Sequence, residues 1–243
     1  MWSMASMWVR AAFAGLPALL VVVTAWGIAT AWRHTGADRN TARRAGTTAL
    51  AAGAAWMMAT ALVAVSGVLR QWDWVPPPFA LVPVLVLAGG AALALSPVGR
   101  RLASGVPLAA LVGVQAFRLP LELAMHRASA DGIVPAQMTF AGQNFDIVSG
   151  ITALALGAAL TRFRVPRSIC WGWNVLGLVL LVNILQVAIR SIPPIAAYGP
   201  DRLNTFVTYP PFVWLPAIMV LAAWTGHLVV FRALRTEGVS PSD

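Results

Sequence analysis

The stretch AAFAGLPALLVVVTAWGIATAW, residues 11–32, decides the fold class, because it contains no charged residue. An α-helix rises 1.5 Å per residue, so about 20 apolar residues are needed to cross a hydrocarbon layer roughly 30 Å thick. No convincing small-residue cleavage site precedes Trp32, which argues against a signal peptide. The stretch is therefore predicted to be a membrane-spanning helix.

The composition of the whole chain points the same way. Of its 243 residues, 59% are hydrophobic and 10% are charged, whereas a soluble domain has about 25% charged residues. The net charge of +9 comes from short arginine clusters between apolar runs, as membrane topology requires, so nucleic acid is excluded as a partner. All basic residues are arginines, which excludes Schiff-base chemistry on lysine, and Cys170 is the single cysteine.

Seven stretches have the length and apolar character of membrane spans. The sequence thus predicts an all-α fold, a polytopic membrane helical bundle that forms a single domain over residues 1–243, with the lipid bilayer of the cell membrane around it. The predicted spans are residues 11–32, 46–69, 76–97, 104–126, 146–161, 169–189 and 208–231.

The arginine distribution predicts the orientation of this bundle. Positively charged short loops are retained in the cytoplasm, and eleven arginines follow the odd-numbered spans, whereas the opposite side is poorer in arginine. The amino terminus is therefore predicted outside the cell and the carboxyl terminus in the cytoplasm. The eleven are Arg33, Arg39, Arg43, Arg44, Arg100, Arg101, Arg162, Arg164, Arg167, Arg232 and Arg235.

Span four carries the most informative polar pattern. Gln115, Arg118, Glu122 and His126 fall within an arc of about 80° at 100° per residue, so they form one polar stripe on an apolar helix. Charges at membrane depth need compensation, and the i,i+4 spacing predicts that Arg118 and Glu122 pair with each other. Pro120 is predicted to kink the helix between them. A structural ion pair and a ligand site are both open interpretations of this pair.

A second stripe is predicted on span six, where Asn183, Gln186 and Arg190 lie on one face. If it faces the first stripe, a polar cavity forms between spans four, six and seven, with Tyr209 at its edge. Asn144 and Asp146 precede span five, where either side chain is a candidate helix cap, and Asp146 is alternatively a further ligand-binding residue.

The loop between Arg127 and Asn144 is unusually apolar for a solvated connection. Its apolar side chains predict that it folds back over the bundle as a lid.

Metal and haem sites have little support in the sequence. The three histidines are His34, His126 and His227, and the predicted topology separates His126 from the other two. No haem-attachment, HExxH, P-loop or G-x-S-x-G motif is present. No cofactor is therefore expected.

Four segments resemble a family of bacterial multi-spanning membrane proteins that has no assigned function. They are QAFRLPLE at 115–122, followed by His126, MTFAGQNFDI at 138–147, WNVLGLVLLVN at 173–183 and PPFVWLP at 210–216. The resemblance covers the carboxyl-terminal half and implies no activity. It places the polar stripe of span four within the family's FRxPxE signature.

Three classes of function fit these observations. The first is binding or transport of a small polar or anionic molecule, with Arg118 and Arg190 attracting the anion and Glu122 coupling a proton. The second is an intramembrane enzyme that acts on a lipid-like substrate, with Glu122 as general acid. The third is an accessory subunit whose polar residues hold a membrane-protein partner.

Overall fold

A computed structural model describes residues 5–236, and every regular element in that range is helical. Nine α-helices follow one another along these residues. They are α1 (Met7–His34), α2 (Arg39–Ser66), α3 (Leu81–Leu95), α4 (Pro97–Gly105), α5 (Leu108–Gly113), α6 (Arg118–Ala130), α7 (Ile147–Arg162), α8 (Arg167–Arg190) and α9 (Leu221–Thr236).

Six helical stretches in the described range are long and apolar enough to cross a membrane. They correspond to α1, α2, α3 with the turn before it, α5 joined to α6, α8, and α9 with the turn before it. The helix predicted as span five is α7, which is apolar but has only 16 residues. At 1.5 Å per residue α7 is about 24 Å long, which is shorter than the hydrocarbon layer.

Two predicted boundaries are wrong by several residues. The second helix begins at Arg39 and not at 46, because the Asp38 side chain accepts hydrogen bonds from the backbone N–H groups of Asn40 and Thr41 and so caps it earlier. The last helical stretch begins at Leu215 and not at 208. Pro210 and Pro211 lack backbone donors and disfavour helix in the residues before them.

The distortion in span four lies just before Arg118 rather than between Arg118 and Glu122. Residues Val114–Phe117 form a 3₁₀ turn between α5 and α6. Pro120 lacks a backbone N–H, and its ring crowds the carbonyl of Ala116, so a regular α-helix cannot continue through this turn.

The connections of the bundle gather at two ends. At the long-loop end, which comprises residues 67–80, 131–146 and 191–214, the Arg70 guanidinium donates to the carbonyl of Thr208. At the same end the backbone N–H of Ser6 donates to Asp131 and lowers the pKa of that carboxyl. At the short-loop end, which comprises residues 35–38, α4 and 163–166, the His34 ring contacts the carbonyl of Gly105 at 2.8 Å.

The segment 131–146 packs into the bundle as its composition predicts. Ile133, Val134 and Met138 are buried and join the apolar core with α1, α6 and the residues before α9. Asp146, the last residue of the segment, lies beside Arg118, which is twelve residues before the end of α6 and therefore about 18 Å along the helix. Non-helical backbone reaches this depth because protein surrounds it.

Glycines set the closest approaches between helices around this segment. A Cβ atom added to Gly150 on α7 would lie 2.4 Å from the backbone nitrogen of Leu119 on α6. A Cβ atom added to Gly157 would lie 3.0 Å from the Cα atom of Gly113. Small residues let helix backbones approach closely in membranes, and here they bring the start of α7 against the start of α6.

We therefore expect Gly150→Ala to destabilise the protein by about 1–3 kcal/mol, because the backbone of Leu119 cannot yield as a flexible side chain does. Gly89→Ala is the matched control, since nothing lies within 4 Å of a Cβ atom at that position. Unfolding of the purified protein in detergent measures both variants. Equal stability of the two variants would show that α6 and α7 are not in close backbone contact.

Candidate functional site

A buried ion pair lies at the centre of the candidate site. Arg118 is 1% exposed, and its Nη1 atom lies 3.1 Å from Oδ1 of Asp146. Nη1 also lies 3.4 Å from the carbonyl oxygen of Gly177, near the middle of α8. The predicted pairing of Arg118 with Glu122 is wrong, because the aspartate at the start of α7 takes this place.

Asn144 connects the ion pair to Glu122. Its Nδ2 atom donates to Oε2 of Glu122 at 2.7 Å and to the carbonyl of Met138 at 3.1 Å, while its Oδ1 atom accepts from the backbone N–H of Asp146. Glu122 is 2% exposed. The sequence suggested only a capping role for Asn144. Its position two residues before Asp146 was the signal that both residues belong to one cluster. The Asp146 side chain makes no capping hydrogen bond to α7.

Arg118 keeps two hydrogen-bond donors without a partner among the described residues, Nε and Nη2. These two atoms lie on the same edge of the guanidinium group, where they match the two oxygens of a carboxylate. Unsatisfied buried donors are rare because each costs about 1–3 kcal/mol. Asp146 therefore holds one side of the Arg118 guanidinium, while the edge formed by Nε and Nη2 has no partner among the described residues.

A cavity of about 90 Å³ adjoins this cluster. Its polar lining comprises Arg118, Glu122, Asn144, Asp146 and Asn204, and most of the other lining side chains are apolar. Most of the apolar lining comes from three elements, α6, α8 and the π-helical turn before α9. Its members include Leu121, Met125, Leu181, Leu185, Leu215 and Met219.

The predicted stripe of span four is divided by the structure. Gln115 is fully buried and its Nε2 atom lies 3.4 Å from the carbonyl of Ala223, but it does not line the cavity. Arg118 and Glu122 line the cavity. His126 is exposed and stacks on Phe140, with the ring centroids 4.5 Å apart.

The predicted convergence of the two stripes is not found. Asn183 and Gln186 lie in a separate outer groove between α8 and α9, and Arg190 is exposed. Asn183 donates to the carbonyl of Gln143 at the edge of the bundle, so its polar group is satisfied away from the cavity. Tyr209 lies under the guanidinium of Arg70 at 4.5 Å and also does not line the cavity.

A second buried polar pair, which joins α8 to α9, was not predicted from the sequence. Asn174 and His227 form two contacts, from Nδ2 of Asn174 to the His227 carbonyl and between Oδ1 of Asn174 and Nδ1 of His227. Gly177 makes room for the ring, since a Cβ atom there would lie 2.3 Å from Cε1 of His227. Among residues 5–236, no three His, Cys, Asp or Glu side chains are grouped so that they could hold a metal ion.

Comparison of the chain with protein-family models, with curated proteins and with solved structures returns no match.

We expect Arg118→Met and Asp146→Asn each to destabilise the protein by about 3–5 kcal/mol, because each leaves an uncompensated buried partner. The double variant should lose less than the sum of the two. Denaturant unfolding in detergent measures this coupling. Arg127→Met is the control, since Arg127 is exposed and its pair with Asp131 should contribute under about 1 kcal/mol. Additive losses would mean that the two buried groups do not depend on each other.

Proposed function

We propose that the chain crosses the cell membrane seven times, with α7 as the seventh span and the amino terminus outside. Arginine placement supports this orientation, because positively charged short loops stay in the cytoplasm. Arg33, Arg39 and Arg164 then lie on the cytoplasmic side, at the short-loop end. The long-loop end is extracytoplasmic in this arrangement. The inward segment 131–146 accounts for the short length of α7.

We also propose that the chain belongs to the bacterial membrane-protein family that its sequence resembles. The FRxPxE and MTFxGxNFD signatures supply Arg118, Glu122, Asn144 and Asp146. These four residues form the polar part of the cavity lining together with Asn204. The coincidence of signature and cavity supports a shared binding role for such proteins.

For the function itself, we propose that the protein binds an amphipathic molecule with one apolar chain and an acidic head group. The observation that carries this proposal is the vacant edge of Arg118, with two buried donors, beside a cavity that is otherwise mainly apolar. A carboxylate fits that edge with two parallel hydrogen bonds. The ligand's head group then completes the hydrogen bonding of Arg118.

The cavity lining supports a hydrocarbon chain in place of the small polar ligand expected from the sequence. Leu121, Leu181 and Met219 offer no hydrogen bonds to a polar solute. Each CH₂ group that leaves water for such a lining contributes about 0.8 kcal/mol. The acidic head group agrees with the anionic ligand that the sequence predicts.

The charges of the cluster favour a carboxylate over a phosphate. The Arg118 guanidinium is already paired with Asp146, and the Glu122 carboxyl lines the same cavity. A phosphate would add nearly two further negative charges at membrane depth, where uncompensated charge is costly. A carboxylic acid enters without net charge when its O–H bond breaks, its proton moves to the Glu122 carboxylate and its own carboxylate stays on Arg118.

The enzymatic alternative uses the same cavity, with two carboxyl groups beside a lipid-like chain and Glu122 as general acid. It differs from binding in that the bound molecule is converted in detergent without a gradient. The accessory alternative differs from both in that a protein partner is retained on purification. Native mass spectrometry with an added ligand separates binding, catalysis and the accessory role.

We expect native mass spectrometry of the purified protein to detect a long-chain carboxylic acid after titration. Arg118→Lys keeps the charge beside Asp146 but loses the two-donor edge, so its affinity should fall about tenfold or more, equivalent to about 1.4 kcal/mol. Arg127→Lys, at an exposed arginine, is the matched control and should bind like the wild type. Equal binding by Arg118→Lys, or binding of the corresponding alcohol with equal affinity, would contradict the proposal.

Proton coupling gives a separate expectation. Binding of an ionised acid takes up one proton at Glu122, so the affinity should fall as the pH rises. Glu122→Gln cannot accept that proton and keeps a similar shape, so its pH dependence should be weaker than that of the wild type. Titrations at several pH values in the same detergent measure the difference. Parallel pH profiles for the wild type and Glu122→Gln would show that the proton binds to a group other than Glu122.

A further inference from the structure

The cavity beside Arg118 is closed towards the long-loop end. Met138, Asn144, Asn204 and Val207 form this roof, and none is more than 3% exposed. The two loops that provide the roof are joined by hydrogen bonds. Gln137 donates to the carbonyl of Arg202 at 2.8 Å and to Oγ of Ser191 at 3.0 Å. The hydroxyl of Tyr198 also donates to Gln143 at 2.8 Å.

The side wall of the same cavity is open by comparison. Pro83 on α3 is half-buried, as are Leu185 on α8 and Pro216 in the π-helical turn, while Ile189 on α8 is 42% exposed. All four line the cavity. They form the most exposed part of the cavity wall, contributed by α3, α8 and the π-helical turn, which we call the side opening.

The side opening faces the outer surface of apolar helices. Leu81 and Leu85 on α3 are exposed around Pro83, and Val182 is exposed on α8 beside Leu185. Six helical stretches including these elements have the character of membrane spans. An apolar surface of this kind contacts lipid chains when the protein is in a bilayer.

The side opening adjoins the outer groove between α8 and α9 along the surface of α8. Val182 lines the groove and Leu185 lines the cavity, and residues three apart on a helix are neighbours. The groove has a volume of about 630 Å³ and runs along Val175, Leu178 and Val179. It offers apolar contact for the part of a long chain that extends beyond the cavity of about 90 Å³.

We infer that the ligand enters sideways from the lipid phase through the side opening, with its head group at Arg118 and its chain in the groove between α8 and α9. This inference rests on the proposed binding function and adds the source of the ligand. The ligand is thus a membrane-dissolved, single-chain acid and not a solute taken from the aqueous side. The narrow cavity admits one unbranched chain and excludes ring systems and double-chain lipids.

Photocrosslinking tests the position of the chain. The probe is a long-chain carboxylic acid with a diazirine near its methyl end, incorporated in phosphatidylcholine vesicles that contain the full-length protein. Crosslinked peptides should come from α8 and from the region of Trp224 in α9. The crosslinks should decrease about tenfold in Arg118→Lys, in line with its weaker binding. Crosslinks confined to residues 131–146 or 191–214 would place the chain under the roof and overturn the inference.

Uptake kinetics test the route. Leu185→Trp fills the side opening and should slow uptake of the acid from vesicles about tenfold. Leu154→Trp makes the same change at an exposed position on α7 and should have no effect. Gln137→Ala removes two hydrogen bonds from the roof and should leave the uptake rate unchanged.

The outcomes separate the route from the function. Absence of binding by the wild type would contradict the proposed function itself. Binding that depends on Arg118, with uptake unaffected by Leu185→Trp and accelerated by Gln137→Ala, would retain the function and overturn the lateral route.

Discussion

The ion pair between Arg118 and Asp146 is the constraint on which the rest of the site depends. A guanidinium that is 1% exposed among apolar helices needs a negative partner, and that partner is the residue just before α7, not a residue of α6 itself. To reach it, the chain after α6 must return about 18 Å into the bundle. The short α7, the buried segment 131–146 and the roof over the cavity are all consequences of this one contact.

Close helix packing makes the contact possible. Asp146 reaches Arg118 because Gly150, one turn later on α7, lets that helix lie against the backbone of Leu119. Gly177 plays a similar part on α8, where its carbonyl accepts from Arg118 and its missing side chain makes room for His227. Two glycines thus bring α7, α8 and α9 around a single arginine.

Much of the fold follows from the sequence because its signals are local. Length, apolar composition and the position of charge indicate each long helix without reference to its neighbours. The kink predicted between Arg118 and Glu122 does not interrupt α6, but Pro120 accounts for the 3₁₀ turn just before Arg118. The two misplaced boundaries depend on capping by Asp38 and on the pair Pro210 and Pro211, signals that are also local but were outweighed by hydropathy.

The site was less predictable because its contacts are not local. The period of a helix places Asn183 and Gln186 on one face but does not say which neighbour that face meets. The carbonyl of Gln143, at the edge of the bundle, accepts a hydrogen bond from Asn183, so this face of α8 lies outside the cavity. Similarly, the i,i+4 rule proposes Glu122 as the partner of Arg118, and only the path of a distant loop brings Asp146 nearer.

Asn144 links Glu122 to the backbone of Asp146 through hydrogen bonds. A single side-chain amide donates to Glu122 on α6 and accepts from the backbone of Asp146 at the start of α7. Any change in the hydrogen bonding of Glu122 therefore acts on the residue that pairs with Arg118. Groups linked in this way have strongly non-additive energies. A head group at Arg118 and a proton at Glu122 are thus events in one hydrogen-bonded unit, which is the physical basis for coupling them.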